Sequence, residues 1–537
     1  MTAAAESVRL ASEARLWLKV PAEQPPLANV RISSGSVGIA HWEKDPAARE
    51  RQTDVLFPIR WWCWTEATLR FTPDYDGQLE LVLNGPWAAD KEGGIHRQEI
   101  QWDGIAADGT NLTNGGFETR EEGAPAGWKC PWAPYPGVDE WPLDSGTAAE
   151  GKHYGASWHN RPLQQILHVK KGRTVSIRLK ARAATPPGFT QPRILGSQTP
   201  AHRAAASLKR GVNFGNGWEA DPSWALKFTP ADVDHVADEG FDHIRVPVSF
   251  QRHFQQTGSG LKLSPALLAE LEPVLRRALE RKLTVLLDWH HFDEFTAAPE
   301  KHLGRFVAGW ECVARHFQSW PQGLFLELLN EPNGGLDSES LNGAYQKAIT
   351  AIRAIDPKRI IVASPAAWGG VRELDGLRLP DGDDRIIVTI HCYEPFQFTH
   401  QGAGWVSLQD LKGVVYPGPP AAPLAVPESL KGNQGVVAFL AAYNTLPTAE
   451  NPSSAKGVRE TLDLAVEWSR HFGRPVHLGE FGAHHTGDDA SRSRYLRDVR
   501  RLTEERRIPW TLWEWKAGFG YWDPDANRPR FRKALIE

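Results

Sequence analysis

Two glutamates stand where short apolar runs stop. The run Leu324-Phe325-Leu326-Glu327-Leu328-Leu329 ends in Asn330-Glu331-Pro332, and Pro475-Val476-His477-Leu478-Gly479 ends at Glu480. A carboxylate at the mouth of an apolar core is costly unless it is solvated, paired or used. Two carboxylates facing each other across a pocket can work on a glycosidic bond, one protonating the leaving oxygen while the other attacks the anomeric carbon. That division of labour needs environments that hold their two pKa values apart. Arg245 and His391 are suited to keeping one carboxylate ionised, and Tyr393 to hydrogen-bonding it. Asn330 is placed to hold a sugar 2-hydroxyl, and Trp513 offers a stacking floor. His290, His291 and Asn213 complete a ring of polar residues at the ends of apolar runs.

Those runs define the elements that must position the ring. Eight of them recur: 208–214, 243–248, 283–291, 324–330, 359–364, 385–393, 475–480 and 510–515. Each is short and β-prone, and most are separated by amphipathic segments. In 264–282, Leu267, Leu268, Leu271, Val274, Leu275, Ala278 and Leu279 recur at helical spacing after Ser264-Pro265, with Pro273 expected to split the pattern into two helices. Buried strands alternating with helices predict a parallel sheet, and eight repeats predict a (β/α)8 barrel whose site forms at the C-terminal strand ends. The long interval 394–474 reads as a loop over that face.

Upstream, residues 1–195 read as an all-β accessory region of one or two sandwiches, 196–207 as a linker, and 208–537 as the catalytic (β/α)8 domain. In 77–85, Leu79, Leu81 and Leu83 share a face. In 173–182, Val175, Ile177 and Leu179 alternate with polar residues, as in a half-buried antiparallel strand. Of 23 tryptophans, 11 precede residue 194. Tryptophan has a flat face that suits sugar C–H groups, and it equally fills sandwich cores. "TNGGFETREEGAPAGW" (113–128) resembles the opening of jelly-roll carbohydrate-binding modules. The region either binds glycan through "RWWCWTEA" (60–67) or braces the barrel. The alternation of Trp62 and Trp64 favours bracing, with one face buried.

The chain of 537 residues carries a formal net charge of −4, which provides no basic field for nucleic acid or anionic lipid. No apolar stretch approaches the roughly 20 residues of a membrane span. The start lacks a charged region followed by an apolar one, so a trimmed secreted or periplasmic chain is the expectation. Cys63, Cys130, Cys312 and Cys392 have no metal-type spacing.

In order and spacing, "RGVNFGN" (210–216), "IRVPV" (244–248), "LDWHH" (287–291), "LLNEPN" (328–333), "IHCYEPFQFTHQGAGW" (390–405), "LGEFG" (478–482) and "WTLWEWKAGFGYWD" (510–523) resemble glycoside hydrolase family 5, the large cellulase family. The resemblance implies that Glu331 is the acid/base and Glu480 the nucleophile. It also implies that Arg245, His290, Asn330, His391, Tyr393 and Trp513 line the −1 subsite, with His291, Asn213 and Glu219 nearer the −2 subsite. Cys392 departs from the family pattern, and its side chain should point away from its neighbours' face of the strand. The expected activity is a retaining endo-β-1,4-glucanase on β-glucan, without cofactor or metal, acting as a monomer. The alternatives are a β-mannanase or a mixed-linkage or β-1,3-glucanase of the same family. A metal-dependent hydrolase using His290, His291, His391, His484 and His485, and a non-catalytic sugar-binding barrel, are rival readings.

Overall fold

A computed structural model describes residues 11–537 apart from 26, 28, 34, 41–49, 86–97, 122–123, 131–147, 186–191 and 259. The first ten residues and Trp42, Trp87, Trp132 and Trp141 lie outside the described residues. The chain divides into two compact units, Met1–Thr190 and Gln191–Glu537.

The first unit is built from two five-stranded sheets. One has the order Leu163–Val169, Gly77–Asn84, Glu13–Pro21, Glu50–Pro58, Ser36–Ala40, and the other Gly155–Ser157, Ile100–Asp108, Val175–Ala183, Thr65–Phe71, Arg31–Ile32. Leu79, Leu81, Leu83, Val175, Ile177 and Leu179 are all buried, as their alternation predicts. Phe57 of the first sheet meets Trp102 of the second edge-on at 6.1 Å, so the two inner faces share one core. Trp62 and Trp64 do not alternate into that core. The chain bends at 61–63, Trp61 is the buried indole, and Trp62 and Trp64 are half-buried under Arg60 and Arg182.

The second unit contains a closed barrel of eight parallel strands. We label them β1 (Arg210–Asn213), β2 (His243–Val248), β3 (Thr284–Trp289), β4 (Leu324–Glu327), β5 (Ile361–Ala363), β6 (Ile386–His391), β7 (Val476–Glu480) and β8 (Trp510–Leu512). Each falls inside one of the eight apolar runs. Alternate residues of each strand fill the interior, with Leu286, Phe325, Val362 and Ile387 in one apolar cluster.

Three expectations change. The segment 196–207 is no linker: Thr199 caps the helix Pro200–Ala205, whose Ala201 and Ala205 join Leu208 in that basal cluster. Small residues at helical spacing close the lower end of the barrel, and the Pro, Ser and Gly around them are capping signals. Residues Pro265–Glu280 form one helix with Pro273 inside it, because Leu271, Val274, Leu275 and Ala278 are buried on both sides of the proline. The interval 394–474 holds the helices Phe396–Thr399, Gln434–Thr445 and Lys456–Phe472. The last buries Val458, Leu462, Ala465, Trp468 and Phe472 and is the helix connecting β6 to β7.

Candidate active site

Arg245 rises from the middle of β2 and has no exposed surface. A guanidinium has five N–H donors. Nε and Nη2 donate to the two oxygens of Glu327 at 2.9 and 2.8 Å, and Nη2 also donates to Asn330 Oδ1 at 2.6 Å. Nη1 donates to Asn213 Oδ1 at 2.9 Å and to Glu480 Oε1 at 2.8 Å. All five donors are used, and the bidentate grip on Glu327 fixes the fork that reaches Glu480. Glu327 and Asp288 were not singled out in the sequence. The signal was available, since Glu327 lies two residues from Phe325, and Asp288 two from Leu286, both inward-facing.

The neighbouring strands bring three more groups to Glu480. Pairing of β6 with β7 runs Ile390 with Leu478, then His391 with Glu480, skipping Gly479. This bulge re-aims both side chains toward the barrel axis. A Cβ on Gly479 would lie 2.4 Å from Thr389 Oγ1 and 3.1 Å from His391 Nε2, so the close approach requires glycine. His391 Nδ1 is 2.7 Å from Glu331 Oε1 and 3.7 Å from Glu480 Oε2. Tyr393 donates its hydroxyl to Glu480 Oε2 at 2.8 Å. One oxygen of Glu331, one of Glu480 and a His391 nitrogen all lie within 4.8 Å of one another. Cys392, between these residues, is buried, and its environment, which pushes the thiol up to about 12, includes Thr461 of the helix Lys456–Phe472. It therefore faces the helical layer.

Across the mouth, Trp513 lies parallel to His290, with ring centroids 5.4 Å apart and planes 9° apart. Gly215 leaves room for the indole, since a Cβ there would stand 2.7 Å from Trp513 Cη2. His290 Nδ1 is held 2.6 Å from Asp288 Oδ2, and burial drives its pKa well below the ordinary value, so its ring is neutral. Exposed His291 packs edge-on to it at 4.4 Å.

Asn213 corrects an expectation. It has no exposed surface, and its amide donates to Gly479 O and Leu512 O at 3.1 and 3.2 Å while accepting from Arg245. It joins strands β1, β7 and β8, and is enclosed too deeply to touch a substrate. Glu219 is likewise engaged by the backbone N–H groups of Asn216 and Gly217. Burial pushes Glu219 to about 7 and Glu514, whose partners are Phe519 N–H and Asn216, to about 8.

Electrostatically, burial pushes Glu480 and Asp288 above the ordinary carboxylate range, and Arg245 opposes both shifts. His391 is also buried, which alone would lower its pKa, yet Glu480 and Glu331 overcome this and raise it. Glu331, His391 and Glu480 are the one group among the described residues spaced to ligate a cation. His391 lies between the two carboxylates, and Arg245 places a fixed positive charge against Glu480. His484 and His485 pack 4.0 Å apart beside Phe519, and His484 Nδ1 bonds to Thr486 and Gln401 O, so they take no part in that group.

Residues 209–518 match the family described as Cellulase (glycosyl hydrolase family 5), and the chain belongs to that family. It is 29% identical over 350 residues to Endoglucanase 3 of Fibrobacter succinogenes, covering 62% of this chain and 53% of the relative. Endoglucanase C of Acetivibrio thermocellus is 28% identical over 327 residues, covering 58% of this chain and 92% of its own. The chain spans about half the length of Endoglucanase 3 and 30% of Endoglucanase H of A. thermocellus. Among solved structures, endoglucanase Cel5A of Thermotoga maritima is 32% identical with a TM-score of 0.53, covering 62% of this chain and 99% of its own. Structures of that protein exist in complex with cellobiose and with mannotriose.

Proposed function

We propose that the protein is a retaining endo-β-1,4-glucanase. The observation that carries this reading is the approach of Glu331 and Glu480 to within 4.8 Å, oxygen to oxygen. Retaining enzymes hold their carboxyl groups about 5–5.5 Å apart, whereas inverting ones need roughly 6.5–9.5 Å to seat a water between them. Arg245 holds one oxygen of Glu480 and Tyr393 the other, leaving a lone pair aimed at the anomeric carbon. Glu480 forms the C1–O ester as the glycosidic C1–O bond breaks, and Glu331 gives its proton to the departing oxygen. Glu331 then takes a proton from water, which opens the ester. His391, bridging both carboxyls, passes the change in charge at one to the other. Arg245 holds Asn330 Oδ1 and so turns its NH2 group away, free for the sugar 2-hydroxyl, while Trp513 and His290 form the floor of the −1 subsite.

The β-1,4-glucan substrate is supported by the endoglucanase relatives. The mannotriose complex of the T. maritima relative favours mannan as a second substrate. We place the first unit in an accessory role, because no tryptophan among its described residues is exposed. Among the described residues, no helix is long and apolar enough to cross a membrane, and a secreted or periplasmic monomer acting on polysaccharide fits the reading.

A reducing-sugar assay over carboxymethylcellulose, mixed-linkage β-glucan, mannan and xylan should show internal cleavage of the glucans. Mannan or xylan cleaved rapidly with glucans untouched would overturn the specificity. The first product, followed by NMR, should be the β-anomer, and an α-anomer would rule out the retaining mechanism.

A further inference from the structure

A line of buried polar side chains inside the barrel takes no part in the chemistry described above. His243 opens β2, Thr511 lies on β8, His477 on β7 and Thr389 on β6, and none of these has exposed surface. Strand register brings them together. Gly211 of β1 pairs with both His243 and Thr511, and His477 pairs with Thr389. A Cβ on Gly211 would lie 2.0 Å from His243 Nε2, so glycine there lets the imidazole cross β1 to its partner. Asp242 Oδ1 is 2.7 Å from His243 Nδ1, and Nε2 of that ring is 2.7 Å from Thr511 Oγ1. Thr511 Oγ1 is also 2.8 Å from His477 Nε2, and His477 Nδ1 is 3.2 Å from Thr389 Oγ1. The line runs from Asp242, whose side chain is 33% exposed, to Thr389, two residues before His391 on the same face of β6. A Cβ on Gly479 would meet both Thr389 Oγ1 and His391 Nε2, so the two atoms face one gap. His391 Nε2 is buried and has no hydrogen-bond partner among the described residues. Apolar side chains of the same shape would fill the interior at little cost in stability, so packing alone does not account for the line.

When each imidazole carries a single proton, the hydrogens in the line have one consistent order. Asp242 already accepts the backbone N–H groups of Lys209 and Arg210, and a carboxylate only accepts, so His243 Nδ1 donates to it. His243 Nε2 is then an acceptor and takes the one hydrogen of the Thr511 hydroxyl. Thr511 must accept from His477 Nε2, which leaves His477 Nδ1 to accept from Thr389. Burial drives the pKa of His477 well below its ordinary value, so that ring is neutral. Every hydrogen points away from the site, and Thr389 Oγ1 turns its lone pairs toward His391. We propose that this relay positions the acid/base: it holds the proton of His391 on Nε2, so that Nδ1, 2.7 Å from Glu331, trades a proton with that carboxyl alone. The assignment rests on the retaining glucanase reading. Which imidazole nitrogen carries the proton is set by the partner of the other. With Nε2 bare, a neutral His391 donates from Nδ1, and Glu331 is held as a carboxylate that cannot protonate a leaving oxygen.

Neutron diffraction from deuterium-exchanged crystals of the full chain at about pH 8, above the ordinary histidine range, reads the line directly. Deuterons are expected on His243 Nδ1, His477 Nε2 and His391 Nε2. A bare His391 Nε2, or a deuteron on His477 Nδ1 in place of Nε2, would overturn the relay. This measurement needs no variant and decides the order even if a variant fails to fold. Its role in the reaction is read from Thr511→Val, which removes the central hydroxyl, and Thr511→Ser, which keeps it. On cellotetraose, whose leaving sugar needs a proton, Thr511→Val should lose about tenfold in kcat/KM, and Thr511→Ser should stay within about twofold of the unmodified protein. Dinitrophenyl β-cellobioside has a leaving group that needs no proton, so its kcat/KM should stay within about twofold in both variants. Equal losses on the two substrates, or no loss on either, would overturn the positioning role. Failure of the unmodified protein to cleave either substrate would instead remove the glucanase reading, while the deuteron positions would still decide the relay.

Discussion

In the N-terminal unit, Trp102 has no exposed surface, Trp128 has 3% and Trp61 has 7%. In the barrel unit, Trp224, Trp368 and Trp405 are 58%, 60% and 65% exposed, and they sit on the loops after β1, β5 and β6. The barrel buries Trp289, Trp310, Trp510 and Trp515 as well, so the contrast lies in which face carries the open indoles. A sandwich of short strands has a thin core, and large rings fill it efficiently. A barrel already has a filled interior and a ring of loops that need hold nothing together. The abundance of tryptophan before residue 194 is therefore a packing signal among the described residues. The sparser indoles on the barrel loops are the ones open to solvent.

The largest effect that would sharpen this contrast comes from Glu480→Gln. It should lower turnover of every substrate by more than about 10⁴-fold while leaving the Tm of the N-terminal unit unchanged. Glu331→Ala should lose about 10²–10⁴-fold on polysaccharide and less on substrates with good leaving groups. Added azide should restore it and yield a β-glycosyl azide. Recovery of full activity without azide would break the assignment.

A crossed pair of tryptophan variants comes next. Trp102→Ala should cost ~3–5 kcal/mol, read as early melting of the first unit, with kcat/KM on cellotetraose unchanged. Trp405→Ala should shift stability by no more than about 0.5 kcal/mol. It should nevertheless reduce activity on polymeric glucan by roughly 2- to 10-fold, the loss of one stacking contact. If the two variants exchanged these effects, the contrast between the units would be wrong.

Smaller still is a pH dependence confined to the barrel mouth. His400 and His484 both have pKa values lowered to about 4, chiefly by burial. Between about 4 and the ordinary value of 6.5, the unfolded chain binds more protons than the folded one at these two positions. Their contribution to stability is therefore full above 6.5 and lost as the pH falls toward 4. Glu219 and Glu514, raised to about 7 and 8, act in the opposite sense and weaken the fold as the pH rises through the neutral range. Melting the unmodified chain and His484→Asn across pH 4–7 should give a shallower acid slope for the variant, and parallel slopes would refute it.

The smallest expected change follows deletion of 1–190, which removes none of the proposed catalytic groups. It should alter kcat/KM on short oligosaccharides by less than about twofold, because the barrel has a core of its own. Loss of activity in a folded truncate would show that the first unit reaches the site.

Much of this was legible in the residues because it is local. Period-2 alternation sets the sandwich strands, apolar runs set the eight barrel strands, and residues near the ends of those runs, from His290 to Trp513, become the mouth. Other features had no local sign. Pro200–Ala205 reads as a linker until Leu286 and Phe325 come beneath it. Gly479 is one more residue of an apolar run until the bulge places His391 opposite Glu480. Asn213 looks like a contact for substrate until closure encloses it between Gly479 and Leu512, residues 266 and 299 positions away. Glu327 is one charge in an apolar strand until Arg245 takes both its oxygens. Strand periodicity depends on neighbours two residues apart. Which carboxylate is braced and which is free to react depends on groups that meet only when the eighth strand returns to the first.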